Sequence, residues 1–364
     1  MKIKRPFIEE ILKDTYGDDY QRIFDKAPLI QYLDKKMGAI DRGCTARRNL
    51  ANLYAIYSIT YRYVNDYYND KDSYSEFEGY SYSELKDFCN SRYGGERLQN
   101  HGYNNRAIGE FRNKTETKED LFVIKDGKYK IFPDYMYAEK VDISKTVNTI
   151  IEKFIELIKT KDEDTIGIIE AVSKEESLEK KREALKKQLA EDAEARMFEI
   201  ISFAILKRYY AGKTVWYGEE KSSVKKYNLR LYKTGRTNAN DGGIDFVLKP
   251  VGRFFQVTEV GRYDKYFLDI DKVMRYPITF VVKTEKENEE IQIEMLEELK
   301  KHYGTEISSL KSYREAIEEI ITLGDLNEMI DKFSEDDITE IVKEIILYFN
   351  LEMNIDDSED EKED

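Results

Sequence analysis

The chain has 364 residues, enough for two or three domains with separate cores. Charged residues make up 36% and apolar residues 41%, and the sequence holds no run of about 18 apolar residues, so a helical membrane span is not expected. The formal charge of −14 looks wrong for a nucleic-acid binder, but half of the excess lies in residues 351–364, eight carboxylates against Lys362, a block that reads as an acidic disordered tail.

Residues 1–70 read as helical. From Arg47 to Tyr68, apolar and aromatic residues recur at three- and four-residue spacing (Leu50, Leu53, Tyr54, Tyr57, Tyr61, Val64), which predicts one amphipathic helix face and scaffold rather than chemistry. Tyrosine is abundant, at 28, and its plainest use is ordinary core and surface packing.

Residues 80–138 carry a different pattern. YSYSELKDFCNSRYGG predicts a helix with Ser83 as N-cap and a stop at Gly94-Gly95. A second helical stretch follows over ERLQNHGYNNRAIGEFRNK, with Gly102 as a possible break. Two short β-like runs, LFVIK and KYKIF, meet at Asp126-Gly127, a tight-hairpin turn. Helix, turn, helix and hairpin in this order resembles a winged helix, with the second helix in the major groove of double-stranded DNA. Arg97, Gln99, Asn100, Asn104, Asn105 and Arg106 suit base edges, because Arg pairs bidentately with guanine and Asn or Gln with adenine. Lys86 to Lys114 is locally basic, against the acidic whole. The competing view is a small α+β module whose polar helix faces water.

A helix with one apolar face (Val147, Ile150, Ile151, Phe154, Ile158) follows from Val141 to Ile169, and then a charge-dense connector. These patterns predict a helical, winged-helix-like recognition region over 1–170, a helical connector over 171–190, an α/β core over 191–290 and C-terminal helices over 291–350. In the core the period changes to two, near TVWYG, LRLYK, IDFVLK, RFFQVTEV and PITFVVK, with helical spacing in KYFLDIDKVMRY. Helix, strands, helix, strand predicts an α/β (α+β) mixed sheet flanked by helices.

The chemistry concentrates between Gly235 and Val273. Asp245 follows Gly242-Gly243, where the backbone can approach a phosphate closely. On the next strand Gln256 and Thr258 share one face, and Phe255, Val257 and Glu259 the other. Glu199 lies in the apolar run MFEIISFAIL, where a carboxylate needs a partner or a metal; Glu194 is an alternative one turn earlier. Hydrolysis of a phosphodiester calls for a hard cation such as Mg²⁺, held by one or two carboxylates and other oxygens. The loop before the strand offers Arg236, Asn238 and Asn240 to phosphates.

A helix glutamate, then GGIDFV, then FFQVTEV resembles the catalytic core of the PD-(D/E)xK nuclease superfamily, in particular its type II restriction endonucleases, over roughly residues 190–285. The resemblance implies a metal site on Asp245, Gln256 and Glu199, with Mg²⁺ as cofactor and direct attack by water on DNA. The family's lysine two residues after the second-strand acid is Thr258 here. Its role in orienting water and stabilising charge could pass to Lys265 or Lys272, or to Lys249 or Arg253; alternatively Glu259 is the second acid. The expectation is a type II site-specific deoxyribonuclease that cuts double-stranded DNA as a homodimer, with a cognate methyltransferase encoded nearby and no membrane association. A structure-specific repair nuclease and a catalytically inactive winged-helix regulator are the alternatives. Only two histidines occur, and Cys44 and Cys89 lie far apart, which argues against histidine catalysis or a zinc site. With an N-terminus lacking an apolar signal core, a reduced, cytoplasmic setting is expected.

Overall fold

The structure, a computed structural model, describes residues 2–39, 43–103, 105–191, 193–234, 244–259, 263–303 and 307–353. The chain forms two compact units, Met1–Asp164 with Met353–Asp364, and Thr165–Glu352.

The first unit begins with α1 (Pro6–Tyr16), α2 (Tyr20–Asp25), α3 (Pro28–Lys36), α4 (Gly43–Asp66) and α5 (Lys71–Glu76). Proline at the first helical position starts α1 and α3, where a missing N–H removes no intrahelical bond. The stripe read on α4 packs inward: Leu50, Leu53, Tyr54 and Tyr57 are buried, with Tyr61 and Val64 against the core, and Tyr63 is buried beside them. Tyrosine is thus mainly a core residue here, its hydroxyls finding partners, as Tyr54 does on Tyr93 O at 2.6 Å.

Next come β1 (Tyr80–Ser81), α6 (Tyr82–Asn90), α7 (Asn105–Thr115), β2 (Phe122–Lys125) and β3 (Lys128–Ile131). The cap of α6 is Ser81 rather than Ser83, in a reciprocal box with Glu84. The helix ends at Asn90, four residues before the expected glycine stop, and the second helical stretch is reduced to two 3₁₀ turns at Gly95–Arg97 and Asn100–Tyr103 before α7. The reason is a tight reversal: a Cβ on Gly95 would lie 1.9 Å from Cys89 O, so only glycine lets the chain pass there. Strands β2 and β3 join through Asp126 and Gly127, both at positive φ (50° and 74°), and the antiparallel sheet has the order β1-β3-β2. The short pair β4 (Tyr137–Ala138) and β5 (Val141–Asp142) leads into α8 (Ser144–Lys174), where the Asp142 carboxylate accepts from the Ser144 backbone and hydroxyl at 2.9 and 2.6 Å.

Helix α8 runs unbroken through the unit boundary at 164/165, earlier than the Glu170–Lys187 boundary expected from charge density. Dense charges there mark exposed faces of α8 and of α9 (Leu178–Lys187), not a separate linker.

The second unit contains α9, α10 (Ala195–Tyr210), β6 (Thr214–Tyr217), β7 (Lys225–Asn228), β8 (Arg230–Lys233), β9 (Phe246–Lys249), β10 (Arg253–Glu259), α11 (Tyr263–Lys272), β11 (Ile278–Lys283), α12 (Asn288–Tyr303), α13 (Ile307–Ala316), β12 (Ile317–Ile321), α14 (Leu323–Asp331) and α15 (Glu335–Met353). Its sheet has the order β12-β11-β10-β9-β8. Strands β8, β9 and β10 form an antiparallel meander, α11 crosses over, and β11 returns parallel to β10. All six residues of β11 are buried, the continuous apolar run of a central strand. The mixed sheet covered by helices is therefore present.

Residues 291–350 do not form helices alone. IEEII is strand β12, paired parallel to β11; its burial does not alternate, with Glu318 and Glu319 exposed and Ile320 and Ile321 buried, so no period of two marked it in the sequence. The late helices belong to the same unit: Phe203 on α10 meets Tyr348 on α15 at 4.8 Å. Helix α10 covers one sheet face through Phe203 on Phe246 (5.0 Å) and Tyr210 against Phe255 (6.1 Å). Helices α11 to α13 cover the other through Tyr266, Phe280, Val282, Met295 and Tyr313. Residues 354–364, most of the expected acidic tail, lie outside the described residues. No helix among the described residues is long and apolar enough to cross a membrane.

Candidate active site

The strands place Asp245 at the mouth of the β9–β10 pair. The ladder registers Phe246 with Phe255, yet Asp245 N also donates to Phe255 O at 2.9 Å, one residue out of step. An extra residue at a strand end re-aims its side chain. Here the Asp245 carboxylate takes the place of the next ladder acceptor, its Oδ2 receiving Val257 N at 2.7 Å. On the other side, Asp245 O accepts from Thr234 N at 3.0 Å. The residue is thus fixed on both sides, its carboxylate by Val257 N and its backbone carbonyl by Thr234 N, where β9 and β10 part.

Gln256 faces that mouth from β10. Its Nε2 donates to Val257 O at 3.2 Å, while its Oε1 is buried and has no hydrogen-bond partner among the described residues. A buried, unpartnered carbonyl oxygen is expensive, so it marks a place where a ligand would be accepted. In the parallel register Gln256 and Thr258 stand beside Phe280 and Val282, on the α11 side. Burial lifts the Tyr266 hydroxyl well above its ordinary value, with Thr258 beside it opposing the shift, so a neutral phenol flanks this face.

Glu199 lies on the other side of the sheet. It precedes Phe203 by one turn of α10, and Phe203 packs on Phe246, so Glu199 overlies the same end of the sheet from the α10 side. Its carboxylate is not a lone charge: Lys233 Nζ lies 3.0 Å from Oε1 and Arg196 Nη1 3.3 Å from Oε2. The expected trio of Asp245, Gln256 and Glu199 therefore brings Asp245 and Gln256 together and sets Glu199 across the sheet, engaged by two cations. Glu194 stands at the N-cap position of α10. Among the described residues no three His, Cys, Asp or Glu side chains cluster as a metal site.

Lys233 is the residue the sequence did not single out. It ends β8, opposite Phe246 and one position from Asp245 in the ladder, and its side chain is 6% exposed. In LRLYK it reads as an ordinary strand lysine; only the sheet order brings it to Glu199. The other candidate cations stand elsewhere. Arg253 is bound to Thr279 of β11 (2.9 Å) and to Glu319 of β12. Lys249 sits over the Tyr232 ring at the far end of β9, Lys272 pairs with Asp269, and Lys265 is exposed on α11. Glu259 pairs with Lys283 in the β10–β11 ladder, and its side chain lies outside the described residues, as do residues 235–243 with Arg236, Asn238 and Asn240.

In the first unit, Gln99 and Asn100 are exposed, and Asn100 Oδ1 accepts from the Tyr129 hydroxyl of β3 at 2.8 Å. Arg97 is half-buried beside Glu96 at 3.7 Å. Asn104, and the side chains of Asn105 and Arg106, lie outside the described residues. The local basic excess is partly spent internally: Lys86 Nζ donates to Glu96 O and Leu98 O, each at 2.7 Å, and Lys114 pairs with Glu110. Arg112, one of the cations of the basic stretch, is exposed on the last turns of α7 and pairs with Asp120 at 3.1 Å, while the exposed Asn113 and Lys125 were not singled out by the sequence.

No family model matches the chain, and neither does any curated protein or solved structure.

Proposed function

We propose that the chain is a Mg²⁺-dependent nuclease of the PD-(D/E)xK type acting on double-stranded DNA, with a type II restriction endonuclease as the specific form. The observation that carries this is the mouth of the β9–β10 pair, where Asp245, whose Oδ2 accepts from Val257 N, stands next to Gln256 of β10, whose Oε1 is buried and without a hydrogen-bond partner among the described residues. The order helix α10, antiparallel β8-β9-β10, crossover α11 and parallel β11 supports it, because it is the order the resemblance implies.

Asp245 and Gln256 offer hard oxygens that fit Mg²⁺, which accepts one or two protein ligands and keeps several waters. Bound there, the cation would polarise the scissile phosphate and lower the pKa of a water. Asp245 holds its position through Val257 N and Thr234 N, so its approach to a phosphate is preset. Lys233 would take the part of the lysine that Thr258 replaces: it ends β8 one ladder position from Asp245, and its ammonium, held by the positioning residue Glu199 on the α10 side of the sheet, would turn past the strand end to reach the phosphate. Turned toward the phosphate, this cation would stabilise the charge developing there.

The first unit would supply recognition. Helices α6 and α7 followed by the β2–β3 hairpin, in a sheet ordered β1-β3-β2, support a winged helix with α7 toward the major groove. Cutting both strands calls for two such sites, hence a homodimer.

A second function draws on Thr258 and on the neutralised Glu199: a DNA-binding regulator that does not cut. Incubation with plasmid DNA and Mg²⁺ separates the outcomes. Discrete fragments support restriction, structure-selective nicking a repair nuclease, and intact DNA with retained binding the regulator. No binding to any duplex would overturn all three.

A further inference from the structure

Between α10 and β8 the chain leaves the sheet as a two-stranded ribbon. Strands β6 and β7 pair only with each other, in the register Val215↔Tyr227, Trp216↔Lys226 and Tyr217↔Lys225. Its side chains are largely exposed on both faces, with Trp216 69% exposed and Tyr217, Val224 and Tyr227 all above 40%. Two-stranded ribbons without a covered face are marginal in water, and exposed aromatics at this density mark a contact surface.

The tip is nevertheless built. A Cβ on Gly218 would lie 2.7 Å from the backbone of Ser223 and Val224, so the tip folds tightly on itself. Glu220 N donates to Ser223 Oγ at 3.1 Å and Ser223 N to Glu220 O at 2.9 Å. This order holds a charged pattern in place. Five cations (Lys213, Lys221, Lys225, Lys226, Arg230) stand against Glu219 and Glu220, a positive patch on a chain of net charge −14. Among the described residues Lys221, Lys225 and Lys226 make no ion pair. Cross-strand neighbours set an aromatic beside a lysine on each face: Trp216 by Lys226, Tyr217 by Lys225.

We propose that the β6–β7 ribbon is a second contact to duplex DNA, its lysines on phosphates and Trp216 against the groove; this rests on the nuclease function proposed above. The major groove is about 12 Å wide and admits a two-stranded ribbon. Strand β8 links the ribbon's base at Arg230 to Lys233 beside Asp245, three residue steps or about 10 Å. Ribbon and Asp245 therefore fall within one duplex turn of about 34 Å. A second copy of the chain is a poorer occupant, because a two-fold contact sets each patch against itself and opposes like charges.

Trp216 is the chain's single tryptophan, so its emission reports on the ribbon alone. The full chain carrying Asp245→Ala is titrated with a mixed 40-base-pair duplex, following emission and, separately, anisotropy of a labelled duplex. The expected result is a change of Trp216 emission that tracks binding. A Lys221→Ala/Lys225→Ala/Lys226→Ala variant should lower the slope of log affinity against log salt by about 3, with an affinity loss on the order of 10²-fold near 0.1 M salt. Duplex binding with unchanged Trp216 emission and an unchanged slope overturns the ribbon's role and leaves the nuclease standing. No binding to any duplex overturns the nuclease and the ribbon together. Emission that responds instead to protein concentration, or to vesicles of anionic lipid but not to DNA, assigns the ribbon to self-association or a membrane surface and overturns the proposal.

Discussion

Lys233→Met isolates the cation on which the proposed site depends. Lys233 and Glu199 are 6% and 13% exposed and 3.0 Å apart. Removing one member of a fully buried pair costs about 3–5 kcal/mol, because a charge is left uncompensated. Arg196 stays 3.3 Å from the Glu199 carboxylate, and that carboxylate keeps some water, so the loss is about 2 kcal/mol. For a unit of this size that lowers Tm by about 4–8 °C. Glu199→Gln should lose about as much, and the double variant less than the sum, with a coupling of about 1–2 kcal/mol in a double-mutant cycle. Urea unfolding followed by far-ultraviolet circular dichroism measures this, since Trp216 is too exposed to report on the sheet. In the cleavage assay Lys233→Met should cut plasmid about 10²–10³-fold more slowly, the loss typical of a single charge-stabilising donor. DNA binding should be largely retained and Lys233→Arg should restore part of the rate. Wild-type cutting by Lys233→Met, or a coupling energy near zero, would refute the assignment.

Asp245→Ala should abolish cleavage while duplex binding persists, and undiminished cutting in a gel assay would remove the β9–β10 mouth as the site. Phe203→Ala removes the ring between Phe246 and Tyr348 and should destabilise the second unit by about 3–5 kcal/mol in urea unfolding. Burial pushes the Cys89 thiol up to about 12, so peptide mapping after iodoacetamide at pH 8 should find Cys89 unmodified in the folded protein and modified in urea. Burial raises the Glu110 carboxyl, but Lys114 and Lys36 outweigh it and hold it below its ordinary value. A depressed carboxylate adds stability above its unfolded pKa and loses it as pH falls through the folded value. Glu110→Gln should therefore lower Tm at pH 7, and the gap from the wild type should close as pH falls below the ordinary carboxyl value and through the depressed folded one; a gap independent of pH would contradict this.

What the sequence determined by itself was local. The three- and four-residue spacing of α4, the period of two in FFQVTEV, the Asp126-Gly127 turn and the place of Asp245 just before a strand all follow from neighbours along the chain. The tertiary structure decided what depends on partners far apart in sequence. IEEII became β12 because β11 offered it a parallel edge. The α6–α7 stretch broke because Gly95 passes against Cys89 O. Glu199 was legible as a carboxylate in an apolar run, and Arg196 is its neighbour three residues back on the same helix, yet its partner Lys233 was not legible: Lys233 lies on a strand, and strand order, unlike periodicity, is fixed only when both sheet faces are packed. The same holds for β6–β7, whose lysines and aromatics look ordinary in sequence and form a patch because the ribbon's side chains stay exposed on both faces.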